Sequence, residues 1–277
     1  MEGSALPQNP SRLRIVETPE ELRRAPVDAA ELREGAVLVR AAALEAPDTL
    51  PAVRQAVPWM RLWRDHPSWA GGYWRCVVDA EDDTPVYTAY RPRTLRFHTD
   101  MSRYLVPPEF TVIRCVTPDS AGGENLLLHI DDVFARLREL GRDDIIRFLT
   151  ARRTLSMEAR HLGPWVEGSG LEVDATASTQ LAVAADPAAP CRIFDRHGAT
   201  KGSHLDLSPA DERLFDDFLD LCSDATDLAP QVRLESGDVL LFSNWRLLHA
   251  RLACAGSGRV TEICMGDSAP TTEEPAA

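Results

Sequence analysis

The sequence predicts a mainly β fold with helical inserts, built on a double-stranded β-helix (jelly roll) core, and three observations carry that reading. Apolar or alternating β-prone runs recur from residue 13 to residue 265, turns bearing Gly, Pro or Asp separate them, and amphipathic helical stretches gather in inserts between them. Two antiparallel sheets sharing one core suit that order. The 277 residues, 44% hydrophobic and 26% charged, suffice for one sizeable core, and no internal repeat or long linker divides the chain.

The elements follow in order. "LRIVE" (13–17) reads as a strand, "TPEELRRA" as a helix capped by Thr18 with Pro19 in its first turn, and "GAVLVR", ending at Arg40, as a second strand. "DTLPAVRQAV" is a short helix. From Pro58 to Trp74, four tryptophans including Trp63 occur without a sustained period, which fits a loop-rich aromatic wall or a core lining. "EFTVIRCVT" (109–117) and "ENLLLHI" are strands about the turn "PDSAGG"; Asp131 is expected to cap "DVFARLREL", and the helix "DDIIRFLTARR" comes next. Residues 154–207 mix strand candidates, "QLAVA" and "CRIFD", with Gly and Pro, and are expected to form a variable lid on the rigid scaffold. "DERLFDDFLDLC" sets Phe215, Phe218, Leu219 and Cys222 at helical spacing with acids opposite. "VRLE", a Ser-Gly-Asp turn, "VLLF" and "RVTEICM" complete the sheets. A single domain is expected over 12–267, while residues 1–11 and the tail 268–277 are too polar and Pro-rich to offset ordering entropy.

Charge and cysteine usage narrow the function classes. A formal net charge of −13 works against nucleic acid, which is gripped by clustered Lys and Arg. Six cysteines without a C-x-x-C spacing indicate neither a zinc knuckle nor a disulfide framework, and read as reduced, buried thiols. No signal-type h-region and no run of about eighteen apolar residues is seen, so no membrane partner is expected and the cytoplasm is the default compartment.

The chemistry begins at "RFHTDMSRY", where His98 and Asp100 stand two residues apart. On a strand, alternate side chains share a face, so an imidazole and a carboxylate would converge. The pair alone fits a surface contact as well as a metal site, and a metal needs a third ligand. Among the other histidines, His249 is distinguished because it follows the buried strand and turn "GDVLLFSN", which in a jelly roll delivers the chain to the mouth of the sandwich.

With these residues in view, the chain resembles the taurine dioxygenase and clavaminate synthase-like iron(II)/2-oxoglutarate oxygenases, which share a cupin-like core. The resemblance rests on "FHTD" (97–100), "PPEFTVIRCVTPDSAGGEN" (107–125), "SGDVLLFSNWRLLHAR" (236–251) and Arg259 in "GRVTEICMGD", in the family's order over about 93–267. It implies iron(II) held by His98, Asp100 and His249, since two imidazoles and a carboxylate on one face leave three adjacent positions open. 2-Oxoglutarate would take two of these and O2 the third, with succinate and CO2 as coproducts. Arg259 matches the family's anchor for the far carboxylate, for which a guanidinium is the planar two-pronged partner. Arg251, in the "HAR" form of the family's H-x-R motif, is a second anchor or a structural partner.

The chain also departs from the family pattern. Asn125 stands where the family usually has Thr, and can still donate to a carboxylate; Trp245 stands where many members have Arg. Related halogenases replace the carboxylate ligand by a small residue, so Asp100 favours hydroxylation. Desaturation, cyclisation and epoxidation use the same triad. The substrate is expected to be a small molecule, such as an amino acid or a specialised-metabolite intermediate, with Asp195, Arg196, Trp63 and Arg64 as candidate contacts. Two rival classes are a catalytically inactive binding protein on this fold and a zinc hydrolase using the same three ligands.

Overall fold

Strand pairing between distant segments decides the architecture. The structure, a computed structural model, describes residues 12–63, 72–79, 90–157, 175–186, 188–194, 204–225, 227–256 and 258–268. Residues 1–11, most of the expected tail and much of the expected lid lie outside the described residues. The strands are β1 (Leu13–Val16), β2 (Ala36–Val39), β3 (Met60–Leu62), β4 (Trp74–Val77), β5 (Leu95–His98), β6 (Phe110–Thr117), β7 (Asn125–His129), β8 (Arg153–Met157), β9 (Ala175–Thr179), β10 (His204–Leu205), β11 (Gln231–Val232), β12 (Val239–Ser243), β13 (Leu247–Arg251) and β14 (Val260–Ser268). The helices are α1 (Pro19–Arg24), α2 (Ala29–Glu34), α3 (Thr49–Ala56), α4 (Ile130–Glu139), α5 (Asp143–Thr150) and α6 (Pro209–Asp224).

A larger sheet runs β1-β2-β12-β6-β14-β3, with β4 also paired to β14, and a smaller one runs β11-β7-β13-β5. Among the described residues of these two sheets, β1 and β2 pair in parallel and the other pairs are antiparallel. Ile113 and Cys115 of β6 and Leu240 and Phe242 of β12 pack against Leu127 and Leu247 of the smaller sheet, forming the core between them. Alternation sends Val112, Val239, Leu241 and Cys264 to the other face of the larger sheet, where Leu22, Leu32 and Val53 of α1–α3 cover them. Helices α4–α6 cover the smaller sheet, with Phe134, Phe148 and Phe215 meeting Leu126, Leu128 and Leu248. Strands buried on both faces explain why "VLLF" and "LLL" read as unbroken apolar runs. The chain is thus mainly β with helices, as expected. No helix among the described residues is long and apolar enough to cross a membrane.

Several local expectations change. Helix α2 escaped notice because six residues give barely two turns, although Asp28 caps it by accepting the Glu31 N–H. The cap of α4 is His129, whose Nδ1 accepts the Asp131 N–H at 3.1 Å; the Asp131 carboxylate instead pairs with Arg246 at 2.7 Å. Neither "QLAVA" nor the described part of "CRIFD", residues 191–194, forms a strand. Their backbone groups bond to scattered partners, Arg192 N–H to Leu181 O, Cys191 N–H to Trp245 O and Thr99 N–H to Ile193 O, and make no ladder. Ser268, expected to open the tail, closes β14, and its hydroxyl donates to Glu109 at 2.7 Å.

Candidate metal centre

Strands β5 and β13 lie side by side, and their register sets His98 opposite His249. The ring centroids are 4.1 Å apart with planes inclined at 43°. His98 Nδ1 donates to the carbonyl of Arg96 at 2.8 Å, which leaves the lone pair on Nε2. His249 is buried against Phe242, with ring centroids 5.0 Å apart, and its Nδ1 meets no hydrogen-bond partner among the described residues. Burial first, and the neighbouring His98 second, push its imidazole down to about 3, so the ring is a neutral donor at ordinary pH.

Asp100 reaches the pair by a turn. Strand β5 ends at His98, Thr99 points away to bond the backbone of Ile193, and Met101 takes a positive φ of 50°. Asn244, wholly buried in the β12–β13 turn, locks this geometry. Its Oδ1 accepts the Asp100 N–H at 2.8 Å, while its Nδ2 donates to the carbonyls of Asp100 and Pro108, both at 2.9 Å. Asp100 Oδ1 then lies 3.9 Å from His98 Nε2, and Oδ2 lies 3.6 Å from His249 Nε2. Thr111 of β6 donates to Oδ2 at 2.9 Å. Ligand atoms of His98, Asp100 and His249 all fall within 4.8 Å of one another, the one such cluster of three His, Cys, Asp or Glu among the described residues. Two imidazole nitrogens and a carboxylate closing on a common point suit a divalent first-row metal ion.

A cationic region lies along the same core. Thr261 and Ile263 of β14 lie opposite Cys115 and Ile113 of β6, and Arg259 immediately precedes this strand. Arg259 is only 6% exposed, yet its guanidinium has no hydrogen bond or ion pair among the described residues. Of the two glycines of "AGGEN", Gly123 makes room for it and Gly122 lets the Ala253 backbone approach. A Cβ on Gly122 would lie 2.3 Å from the carbonyl of Ala253, and one on Gly123 would lie 3.3 Å from Arg259 Cδ and Nε. Asp119 flanks the same spot. Burial opposes its charge, but the N–H groups of Ala121 and Ala255 and nearby Arg259 together hold its carboxyl below the usual range.

Arg251, also buried, donates through Nη2 to the carbonyls of Arg91 and, at 2.8 Å, Arg93, so it ties down the segment leading into β5. Burial, reinforced by Arg259, lowers its pKa. Asn125 is buried on β7 with Nδ2 3.5 Å from the carbonyl of Val232.

The candidate substrate contacts divide differently. Trp63 is buried, its N–H donates to Asp267 at 2.7 Å, and its ring packs on Tyr104 at 5.3 Å. Arg64, Asp195 and Arg196 lie outside the described residues. Three residues that sequence reasoning left without a role now have one. Asn244 and Thr111 hold Asp100, and Arg192 donates to the carbonyls of Ser102, Tyr104 and Leu105, bracing the loop that follows. The parity of Thr111 with Ile113 and Cys115 along β6 was the available signal for the second.

The model of the Taurine catabolism dioxygenase TauD, TfdA family matches residues 11–265. No curated protein matches the sequence. Among solved structures, an asparagine oxygenase in complex with Fe(II), 3-hydroxyasparagine and succinate is similar, at 14% identity and a TM-score of 0.57 over 90% of this chain and 78% of that one. A taurine dioxygenase from Burkholderia xenovorans is similar at 14% identity and a TM-score of 0.52, covering 87% and 83% of the two chains. PvcB, an iron and α-ketoglutarate dependent oxygenase from an isonitrile synthetic pathway, is similar at 17% identity and a TM-score of 0.52, covering 90% and 82%. At such identities the likeness establishes a shared fold. The family match runs through both sheets and every residue of the cluster, and the chain therefore belongs to the TauD, TfdA family of dioxygenases.

Proposed function

We propose that this chain is an iron(II)- and 2-oxoglutarate-dependent dioxygenase on a double-stranded β-helix core, hydroxylating a small molecule and releasing succinate and CO2. The observation that carries the reading is the convergence of His98, Asp100 and His249 within 4.8 Å. Bound iron with 2-oxoglutarate and O2 supplies the oxidising power. The chain's part is to hold the metal on one face through neutral imidazoles and a carboxylate, leaving neighbouring positions open. Arg259, a buried guanidinium lacking a protein acceptor among the described residues, receives the far carboxylate of 2-oxoglutarate, with Asn125 as an additional donor. Arg251 supports this site by bracing the 91–93 segment.

The substrate class is an amino acid or an intermediate of specialised metabolism. Support comes from the similar folds of an asparagine oxygenase and of an oxygenase from an isonitrile pathway. The six cysteines are buried and none is in a disulfide, which accords with a reducing compartment such as the cytoplasm. The test is an anaerobic Fe(II) titration, followed by admission of O2 with 2-oxoglutarate and a panel of amino acids, scored by succinate. Iron-dependent succinate formation is expected. Turnover of a hydrolysable substrate with Zn(II) and no 2-oxoglutarate consumption would sink the reading in favour of a hydrolase.

A further inference from the structure

We infer that Thr111 is a positioning residue that reserves one oxygen of Asp100, so that a bound metal meets this carboxylate through the other. The inference rests on the metal reading above and concerns how the ligand is aimed.

The backbone of Asp100 is already fixed on both sides by Asn244, through Asp100 N–H at 2.8 Å and Asp100 C=O at 2.9 Å. What remains free is rotation of the carboxylate about its side-chain bonds. Thr111, fully buried on β6 with Phe242 and Met265 as its cross-strand neighbours, supplies the missing restraint by donating its hydroxyl to Oδ2 at 2.9 Å. A β-branched residue is stiff about χ1, so the hydroxyl is aimed by the strand itself. One lone pair of Oδ2 is engaged and Oδ1 accepts no hydrogen bond from the described residues, which leaves Oδ1 the better donor to a cation shared with His98 and His249. The consequence is a count of positions. A carboxylate gripping with both oxygens would close one of the places that a chelating dicarboxylate and O2 need, and a hydroxyl held on Oδ2 opposes that. Valine at this position has the same shape without the donor.

The experiment compares Thr111→Val, Thr111→Ser and wild type, with Mn(II) as an oxygen-inert probe read by calorimetry under anaerobic conditions. Each is then titrated with 2-oxoglutarate, and the thermal midpoint of each metal-free protein is recorded. Loss of such an outer hydrogen bond is expected to weaken metal binding about 10- to 100-fold in Thr111→Val, with Thr111→Ser restored close to wild type. Thr111→Ala gives the same comparison should the valine variant fold poorly. Wild-type Mn(II) and 2-oxoglutarate affinities in both Thr111→Val and Thr111→Ala would overturn the inference, as would a loss that Thr111→Ser does not repair. Wild-type protein binding neither Mn(II) nor Fe(II) would overturn the iron reading itself, a result distinguishable from failure of the Thr111 role alone.

Discussion

His98 and His249 are cross-strand partners whose ring centroids stand 4.1 Å apart, and Asp100 presents one carboxylate oxygen to each imidazole. No one of the three side chains is placed by the others. The register of β5 on β13 sets the two rings, and the Asn244 turn sets the acid. Replacing His249 by Ala should therefore leave the fold intact and abolish both Fe(II) binding and succinate formation. Anaerobic metal titration beside circular dichroism checks this, and retained stoichiometric iron would remove His249 from the ligand set.

The two buried arginines are expected to fail in different ways. Arg259→Ala deletes the cation proposed to receive the far carboxylate of 2-oxoglutarate. The loss of one partner of a buried pair is about 3–5 kcal/mol, or roughly 10²- to 5 × 10³-fold in cosubstrate affinity, with metal binding nearly unchanged. Arg251→Ala instead releases the carbonyls of Arg91 and Arg93, and should lower the thermal midpoint. Should Arg251→Ala carry the cosubstrate defect and Arg259→Ala none, the anchor is Arg251.

Acid sensitivity of the metal-free protein should have an identifiable source at His129. Burial, with Arg12 next, pushes this imidazole from 6.5 down to about 3, and its unprotonated Nδ1 caps α4. In the unfolded chain the ring takes up a proton near its ordinary pKa, so between 6.5 and about 3 the unfolded state holds more protons than the folded one. The stability contributed by the neutral ring is complete above that window and declines as pH falls through it, at up to about 1.4 kcal/mol per pH unit. His129→Asn keeps an acceptor at the cap and removes the titration. Urea unfolding at a series of pH values should show a shallower slope in this variant; an unchanged slope would place the sensitivity elsewhere.

Asn244→Ala should be among the most damaging changes near the centre. It strands the Asp100 N–H and the carbonyls of Asp100 and Pro108 in a fully buried site. Unsatisfied groups of this kind amount to about 3 kcal/mol or more in total. Denaturant midpoints are expected to fall accordingly, with metal affinity falling further than stability alone accounts for. A variant with wild-type stability would mean that water replaces the amide.

Much of the β framework could be read from the chain because its strands are buried on both faces, and unbroken runs such as "VLLF" betray that burial. The convergence of His98, Asp100 and His249 was legible through residue type and order. The route by which Asp100 arrives was not. Strand alternation would put it beside His98, whereas the structure uses a turn held from the far end of the chain, a contact with no local pattern. The same blindness covers the cap of α4. Asp131 has the better intrinsic cap chemistry, yet buried Arg246 claims its carboxylate and His129 takes the cap. "QLAVA" and "CRIFD" have strand composition, but composition cannot reveal that their hydrogen bonds go to scattered partners.

The clamp between Asn244 and Asp100 joins residues 144 apart in sequence, and that separation bears on when the protein becomes competent. Early in folding, local turns and helices such as α4 and α5 form rapidly, whereas closing so long a loop comes late. Until the β12–β13 hairpin docks, His98 and Asp100 have neither their partner imidazole nor the amide that orients the acid. Iron uptake during refolding should accordingly lag the recovery of helical signal and coincide with the final long-range step, which would make ion capture a clock for completion of the fold.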